Sequence, residues 1–225
     1  MVNSFFVFNT PRHCALCGFS SSLDLCAACD RDLPRIKNAC SHCGVPLEHD
    51  SICGRCLTAS PRFARCISPL RYEAPVSHLL GAFKYHGDFN NGRILTTLLV
   101  KRLCEESALA ADVIVPVPLH WRRRWNRGFN QAELIGDELS RSLHLPMQTR
   151  WLHRTRASAP QQSLSADARR SNLRNAFSCR LQLNGMHIAV VDDVVTTGAT
   201  ANAIAEILLA CGAASVQIWC LARTP

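Results

Sequence analysis

No uninterrupted apolar stretch reaches the roughly 18 residues that a membrane span needs, so nothing in this 225-residue sequence reads as membrane-inserted. No secretory leader is expected either. The apolar start at residues 1–8 is too short and runs into Pro11 and Arg12. The expectation is a cytoplasmic protein, in which structural disulfides do not persist. Lysine is nearly absent: Lys37, Lys84 and Lys101 are the only three among 25 basic residues. The other 22 are arginines, and the formal net charge is +8. Arginine offers a planar fork of donors that matches phosphate, which a lysine point charge does not. Acids are scarce where arginine is dense. Between Arg122 and Arg180 there are twelve arginines and four acids, Glu133, Asp137, Glu138 and Asp167. A polyanionic ligand is implied: diphosphate, nucleotide or nucleic acid. No long internal repeat or low-complexity tract is present. A hydrophobic content of 48% is enough for a sizeable core.

The most informative segment is 190–200, Val-Val-Asp-Asp-Val-Val-Thr-Thr-Gly-Ala-Thr. An apolar strand, 188–191, runs into Asp192 and Asp193. A turn of hydroxyls and glycine comes next, then an alanine-rich helix expected at 200–211. Open α/β sheets bind ligands at the carboxyl ends of their strands. A tight turn that opens a helix presents backbone N–H groups to a phosphate. Thr196, Thr197 and Thr200 add hydroxyls, and Gly198 lets the backbone approach closely. Two carboxylates beside that cradle suit sugar hydroxyls, so the segment reads as a ribose-5-phosphate site. It resembles the phosphoribosyl diphosphate (PRPP) signature of type I phosphoribosyltransferases. The resemblance implies that Asp192 and Asp193 hold the ribose hydroxyls. It also implies that Thr196, Thr197, Gly198, Ala199 and Thr200 hold the 5-phosphate.

Of thirteen cysteines, eight form four Cys-x-x-Cys pairs: Cys14/Cys17, Cys26/Cys29, Cys40/Cys43 and Cys53/Cys56. One such turn offers two thiolates to a tetrahedral zinc, and two turns complete a four-cysteine site. Sequential pairing gives two ions. An interleaved arrangement, or one complete and one degenerate site, fits the spacing as well. Residues 1–60 show little hydrophobic periodicity, so metal replaces a core there. A boundary is expected near Ser60–Pro61, with residues 61–225 forming an α/β domain. Losing metal should then unfold the first module and leave the chain after residue 67 folded.

From about residue 67, strands and helices alternate, which indicates a parallel sheet with helices on both faces. Strands are expected at 67–72, 113–118, 148–152, 187–193 and 215–222. Helices are expected at 75–84, stopped by Gly87, and at 94–106, 130–143 and 200–211. The sequence ends soon after the last strand, so any hood over the crevice is expected from residues 57–110.

A second anion loop is expected after the strand at 113–118. It carries Arg122, Arg123, Arg124 and Arg127 and closes into a helix through Gly128, Asn130 and Gln131. Phe-Lys-Tyr-x-Gly at 83–87, Pro-Val-Pro-Leu at 116–119 and Arg-Gly-Phe-Asn-Gln at 127–131 narrow the resemblance. So do Arg154, Arg156, Gln161, Leu164, Arg169, Arg170 and Asn172, taken with the zinc knuckles and the PRPP motif. The whole chain, in order, resembles the ComF/GntX family. That resemblance implies a type I phosphoribosyltransferase-like sheet behind a cysteine-rich zinc-ribbon module, and an association with bacterial competence and DNA uptake. It implies diphosphate contacts from Arg127, Gly128, Asn130 and Gln131, a phosphate contact from Lys84, and a closing loop that includes Arg154, Arg156, Gln161 and Arg169. Magnesium would accompany PRPP. The implied partners are PRPP or a related phosphoribosyl ligand, DNA bound weakly with a preference for single strands, and proteins of the uptake machinery. Two functions remain open at this level. One is an enzyme that transfers the phosphoribosyl group, with Asp192, Asp193 and Arg127 at the reacting centre. The other is a non-enzymatic PRPP or nucleotide sensor that uses its zinc module and arginines on DNA. The sequence singles out no base for an acceptor nucleophile.

Overall fold

The computed structural model describes residues 12–106, 110–119, 128–155 and 176–225. By compactness the chain divides into Met1–Leu33 and Pro34–Pro225.

The smaller unit is a knuckle and a helical turn. The short strands β1 (Arg12–His13) and β2 (Ser20–Ser21) pair antiparallel. Between them the chain reverses at Gly18, whose φ of 72° favours glycine. The one-turn helix α1 (Ala27–Arg31) starts at Cys26, whose sulfur accepts from the Cys29 N–H.

The larger unit begins with the same device. Gly44 N–H donates to the Cys40 carbonyl, as Gly18 N–H does to Cys14. The helix α2 (Gly54–Thr58) starts at Cys53 as α1 starts at Cys26. Next come β3 (Arg65–Ile67), β4 (Leu70–Arg71), α3 (Val76–His86) and α4 (Phe89–Cys104). They lead into β5 (Val113–Pro116), α5 (Gln131–Leu143), β6 (His153–Arg154) and β7 (Phe177–Ser178). The chain finishes with β8 (His187–Val195), α6 (Ala199–Ala210) and β9 (Ser215–Arg223).

The sheet order is β3-β9-β8-β5, all parallel, with β4 also on β9. The central strands carry buried apolar runs, Ile188–Val191 in β8 and Ile218–Ala222 in β9, because helices cover both faces. Val113, Val115, Ile188, Val190, Val216 and Ile218 share a buried cluster with Ile204, Ala205 and Leu208 of α6. On the opposite face lie α4 and α5, which pack on β8, β9 and β5. The expected fold class is therefore present.

Several local expectations shift. A single strand at 67–72 is two short ones, β3 and β4. The strand expected at 148–152 is not formed. Met147 makes one parallel bridge to Ile114, and β6 pairs with β7 instead. The helix expected from residue 94 starts five residues earlier, because Asp88 caps it through the Asn91 N–H. Gly87, at φ 65°, ends α3 as expected.

The second knuckle is part of the core of the larger unit. Cys40, Cys43 and Cys56 are buried in the same cluster as Phe63, Cys66, Val216, Ile218 and Cys220. Cysteine content changes at residue 60, whereas compactness changes at Leu33/Pro34. A Cβ on Gly44 would sit 2.6 Å from the Cys66 carbonyl oxygen, at a backbone φ of 66°. Gly44→Ala is therefore expected to destabilise the unit by about 2 kcal/mol or more, measured as a lower denaturation midpoint. Gly18 has open space around its missing Cβ.

Candidate functional site

Strand β8 carries the two acids. Its ladder to β9 continues past them to Val195, opposite Arg223. Asp192 and Asp193 thus lie within the last ordered stretch of the sheet rather than beyond it. Asp193 N–H donates to Asp192 Oδ1 at 2.9 Å. Two adjacent carboxylates at a half-buried strand end resist ionising together. Burial, then the neighbouring Asp193 charge, pushes Asp192 up to about 7. Its own hydrogen bond and the charges of Lys84 and Arg154 pull the other way.

Asp193 has a cation of its own. Lys84, near the end of α3, places Nζ 3.0 Å from Asp193 Oδ2, with both side chains 16% exposed. Helix α3 lies within residues 57–110, the stretch from which a hood is expected, and it brings a cation to Asp193. Arg154 stacks over the Phe177 ring, 5.4 Å from its centroid.

After β8 the chain turns through Thr196, Thr197 and Gly198. Gly198 has φ 77° and caps α6. Ala199 N–H donates to Thr197 Oγ1 at 3.3 Å. Thr196 and Thr197 are exposed, as is Ala199. The N–H groups of Thr196, Thr197 and Gly198 have no acceptor among the described residues. Asp192 and residues 194–201, Thr200 included, line one pocket. Unpaired N–H groups at the start of a 12-residue helix favour an anion there.

At the start of α5, Asn130 and Gln131 are fully buried. Asn130 Oδ1 accepts from the Ala132 N–H, and its amide donates to the Val117 carbonyl. Gln131 donates to the Lys84 carbonyl at 3.4 Å, tying α5 to α3. Through these bonds the start of α5 is tied to Val117, just after β5, and to α3. Gly128 is exposed at φ 77°. Arg122, Arg123, Arg124, Arg127, Arg156, Gln161 and Arg169 lie outside the described residues.

The cysteines settle into two sequential groups, Cys14/Cys17/Cys26/Cys29 and Cys40/Cys43/Cys53/Cys56. Within each, all sulfurs lie within 4.8 Å of one another. Tetrahedral zinc with bonds of about 2.3 Å sets neighbouring sulfurs about 3.8 Å apart. Cys17 and Cys26 are 3.9 Å apart, and Cys43 and Cys53 are 3.6 Å apart. Backbone N–H groups of Cys26 and Cys53 point at the sulfurs of Cys14 and Cys40, which favours thiolates over thiols. The donor sets therefore fit one zinc each.

One residue escapes sequence reasoning. Arg223 is fully buried at the end of β9. Its guanidinium donates to the Cys43 carbonyl on one side and to the Val195 and Thr196 carbonyls on the other. The available signal is an arginine directly after eight residues of strand pattern, where a surface charge would be odd.

Among the described residues no helix is long and apolar enough to cross a membrane. A double zinc ribbon domain model matches residues 7–57, and a phosphoribosyl transferase domain model matches residues 130–225. The chain is 40% identical over 226 residues to the DNA utilization protein YhgH of Escherichia coli K12, covering 97% of this chain and 100% of that protein. It is 36% identical to competence protein F of Haemophilus influenzae, covering 88% and 90%. Among solved structures, adenine phosphoribosyltransferase of Leishmania tarentolae is 16% identical, with a TM-score of 0.42, over 70% of this chain and 76% of that one. With a phosphoribosyl transferase domain behind a double zinc ribbon, and full-length relatives above 30% identity, the chain belongs to the ComF/YhgH family.

Proposed function

We propose that the chain binds PRPP at the end of β8 and transfers its phosphoribosyl group in the service of DNA utilisation. The observation that supports this most is the arrangement of Asp192 and Asp193 beside a turn whose N–H groups lack protein acceptors among the described residues. In this reading the 5-phosphate rests on residues 196–200, at the positive end of α6. The ribose hydroxyls donate to Asp192 and Asp193. Lys84 balances the second acid and adds positive potential toward the phosphates. From the family resemblance, the diphosphate contacts are assigned to Gly128 and Arg127, and a further phosphate contact to Arg156. Magnesium, when bound with PRPP, neutralises diphosphate charge. As the bond from the anomeric carbon to diphosphate breaks, positive charge grows on the ribose and negative charge on the leaving group. The carboxylates meet the first and the arginines the second. Zinc in the two cysteine clusters is structural, because each site is closed by four protein ligands.

The link to DNA comes from the relatives' names, and the arginine-rich segments supply a surface chemistry for it. DNA binding of this kind is weak, sequence-independent and steeply salt-dependent.

Ribose 5-phosphate and PRPP, each at 100 times its Kd, should stabilise the protein by about 2.7 kcal/mol, raising the melting temperature measurably. Diphosphate should be released from PRPP with magnesium when the acceptor is present. A panel of bases, ammonia donors and single-stranded nucleic acids tests this. Binding without release from any acceptor favours the sensor. No binding of ribose 5-phosphate or PRPP overturns both readings.

A further inference from the structure

We propose that Arg223 is the positioning residue of the phosphate loop and couples it to the metal cluster of Cys40, Cys43, Cys53 and Cys56. This rests on reading residues 196–200 as the phosphate-binding turn.

The argument starts from peptide geometry. Within one planar peptide, the C=O and the next N–H point in opposite directions. Arg223 Nη1 draws the Val195 and Thr196 carbonyls toward the core. The N–H groups of Thr196 and Thr197 must then face away from the core. Those are N–H groups without an acceptor among the described residues. The guanidinium thus sets the Thr197 donor, through the Thr196 carbonyl, and shares the Thr196 donor with the Thr224 N–H, which also donates to the Val195 carbonyl at 3.1 Å. It does so before any ligand arrives, which removes an ordering cost from binding.

The other edge of the same guanidinium fixes the knuckle. Nε donates to the Cys43 carbonyl at 3.0 Å. Cys43 is itself a member of the second cluster. The knuckle is also tied to the sheet through the Cys66 N–H, which donates to the His42 carbonyl at 2.8 Å. Moving the Cys43 peptide therefore moves the acceptor that aims Arg223.

The charge balance points the same way. Arg223 is 2% exposed and has no carboxylate partner among the described residues. It donates to neutral carbonyls, that of Thr224 included. A buried cation without a counter-charge is costly. Four thiolates around one divalent ion leave a net negative centre beside the Cys43 carbonyl. A phosphate on the turn would supply negative charge on the other side. Arg223 is placed between two anions, one resident and one arriving. Linkage then requires that metal at this cluster and phosphate on the turn affect each other's affinity equally.

The test compares the zinc-loaded full chain with Arg223→Gln and Arg223→Lys. Backbone order parameters of Thr196, Thr197 and Gly198 are measured by NMR without ligand. Values near about 0.85 are expected for the native turn, and values below about 0.6 for Arg223→Gln. Graded chelation should shift the same three amide signals in the native protein as the second cluster empties. In Arg223→Gln those signals should no longer respond. Arg223→Lys keeps the charge but has one donor nitrogen, which cannot hold both edges. It should fold, keep both zinc ions by elemental analysis, and still lose the response. Ribose 5-phosphate affinity by calorimetry should fall at least tenfold in both variants. An ordered turn in Arg223→Gln, or a chelation response that survives in either variant, overturns the proposal. If the native protein does not bind ribose 5-phosphate, the phosphate-site reading fails, while the ligand-free NMR arm still decides the role of Arg223.

Discussion

Replacing Cys43 by serine is expected to lower the melting temperature of the larger unit by about 8–16 °C, while replacing Cys17 by serine leaves that unit's transition in place. The asymmetry arises from where each sulfur lies. Cys43 is 3% exposed and belongs to the cluster that holds Phe63, Val216, Ile218 and α6. Cys17 is exposed in a unit of its own. Structural zinc contributes roughly 10–16 kcal/mol of apparent binding free energy to the fold around it. Serine binds zinc poorly, so even a net loss of about 4 kcal/mol is conservative. In a unit of this size each kcal/mol moves the midpoint by about 2–4 °C, which gives the range stated. Calorimetry, with zinc measured in each variant, checks it. Equal shifts in the two variants would mean that the second cluster is as detached from the sheet as its cysteine-rich sequence suggests.

That sequence misleads for a physical reason. Cysteine pairs announce a metal site from spacing alone, because two ligands must sit on one tight turn. Spacing says nothing about what the turn packs against. Cys40 and Cys56 are buried in one cluster with Phe63, Cys66, Val216 and Ile218, and no local pattern encodes a contact across that much chain. Metal loss at the second cluster is therefore expected to reach residues after 67, against the expectation from cysteine spacing. The β8 turn is legible for the opposite reason. Its strand, acids, glycine and helix are contiguous, so local chemistry and final geometry coincide. Lys84 reads as a phosphate contact through resemblance alone. Its pairing with Asp193 needs α3 folded across the end of β8. Asn130 and Gln131 lie in a motif that looks polar and functional. Their amides donate to the Val117 and Lys84 carbonyls, bonds that no local motif announces. Arg223 escapes because the sequence pattern ends the last strand at Ala222, one residue short. A terminal arginine on a sheet normally reaches water.

Asp192→Asn and Asp193→Asn should both weaken ribose 5-phosphate binding, yet move stability in opposite directions. A charge-assisted hydrogen bond is worth about 1.5–3 kcal/mol. Each substitution should therefore cost roughly 10- to 150-fold in affinity by calorimetry. Stability separates the two. Asp192 is held up to about 7 by burial and by Asp193, against an ordinary value of 3.8. An acid whose folded value is raised contributes most below the unfolded value, and that contribution is lost as pH rises through the folded one. The native protein should thus lose stability from this group between about pH 4 and pH 7. Asp192→Asn removes the loss, so the ligand-free variant should be more stable than the native chain at about pH 8 and show a smaller difference at about pH 4. Asp193→Asn instead strands Lys84, a cation only 16% exposed, and should destabilise. The same titration governs binding. Ribose hydroxyls donate to an ionised Asp192, so affinity should climb toward about pH 7 and then level. Below that pH the native protein should release more protons on binding than Asp192→Asn does, read from calorimetry in two buffers of different ionisation enthalpy. The comparison between the two proteins cancels the titration of the phosphate itself. Equal proton release in both would mean that Asp192 does not change its charge on binding, and the hydroxyls would then need another acceptor.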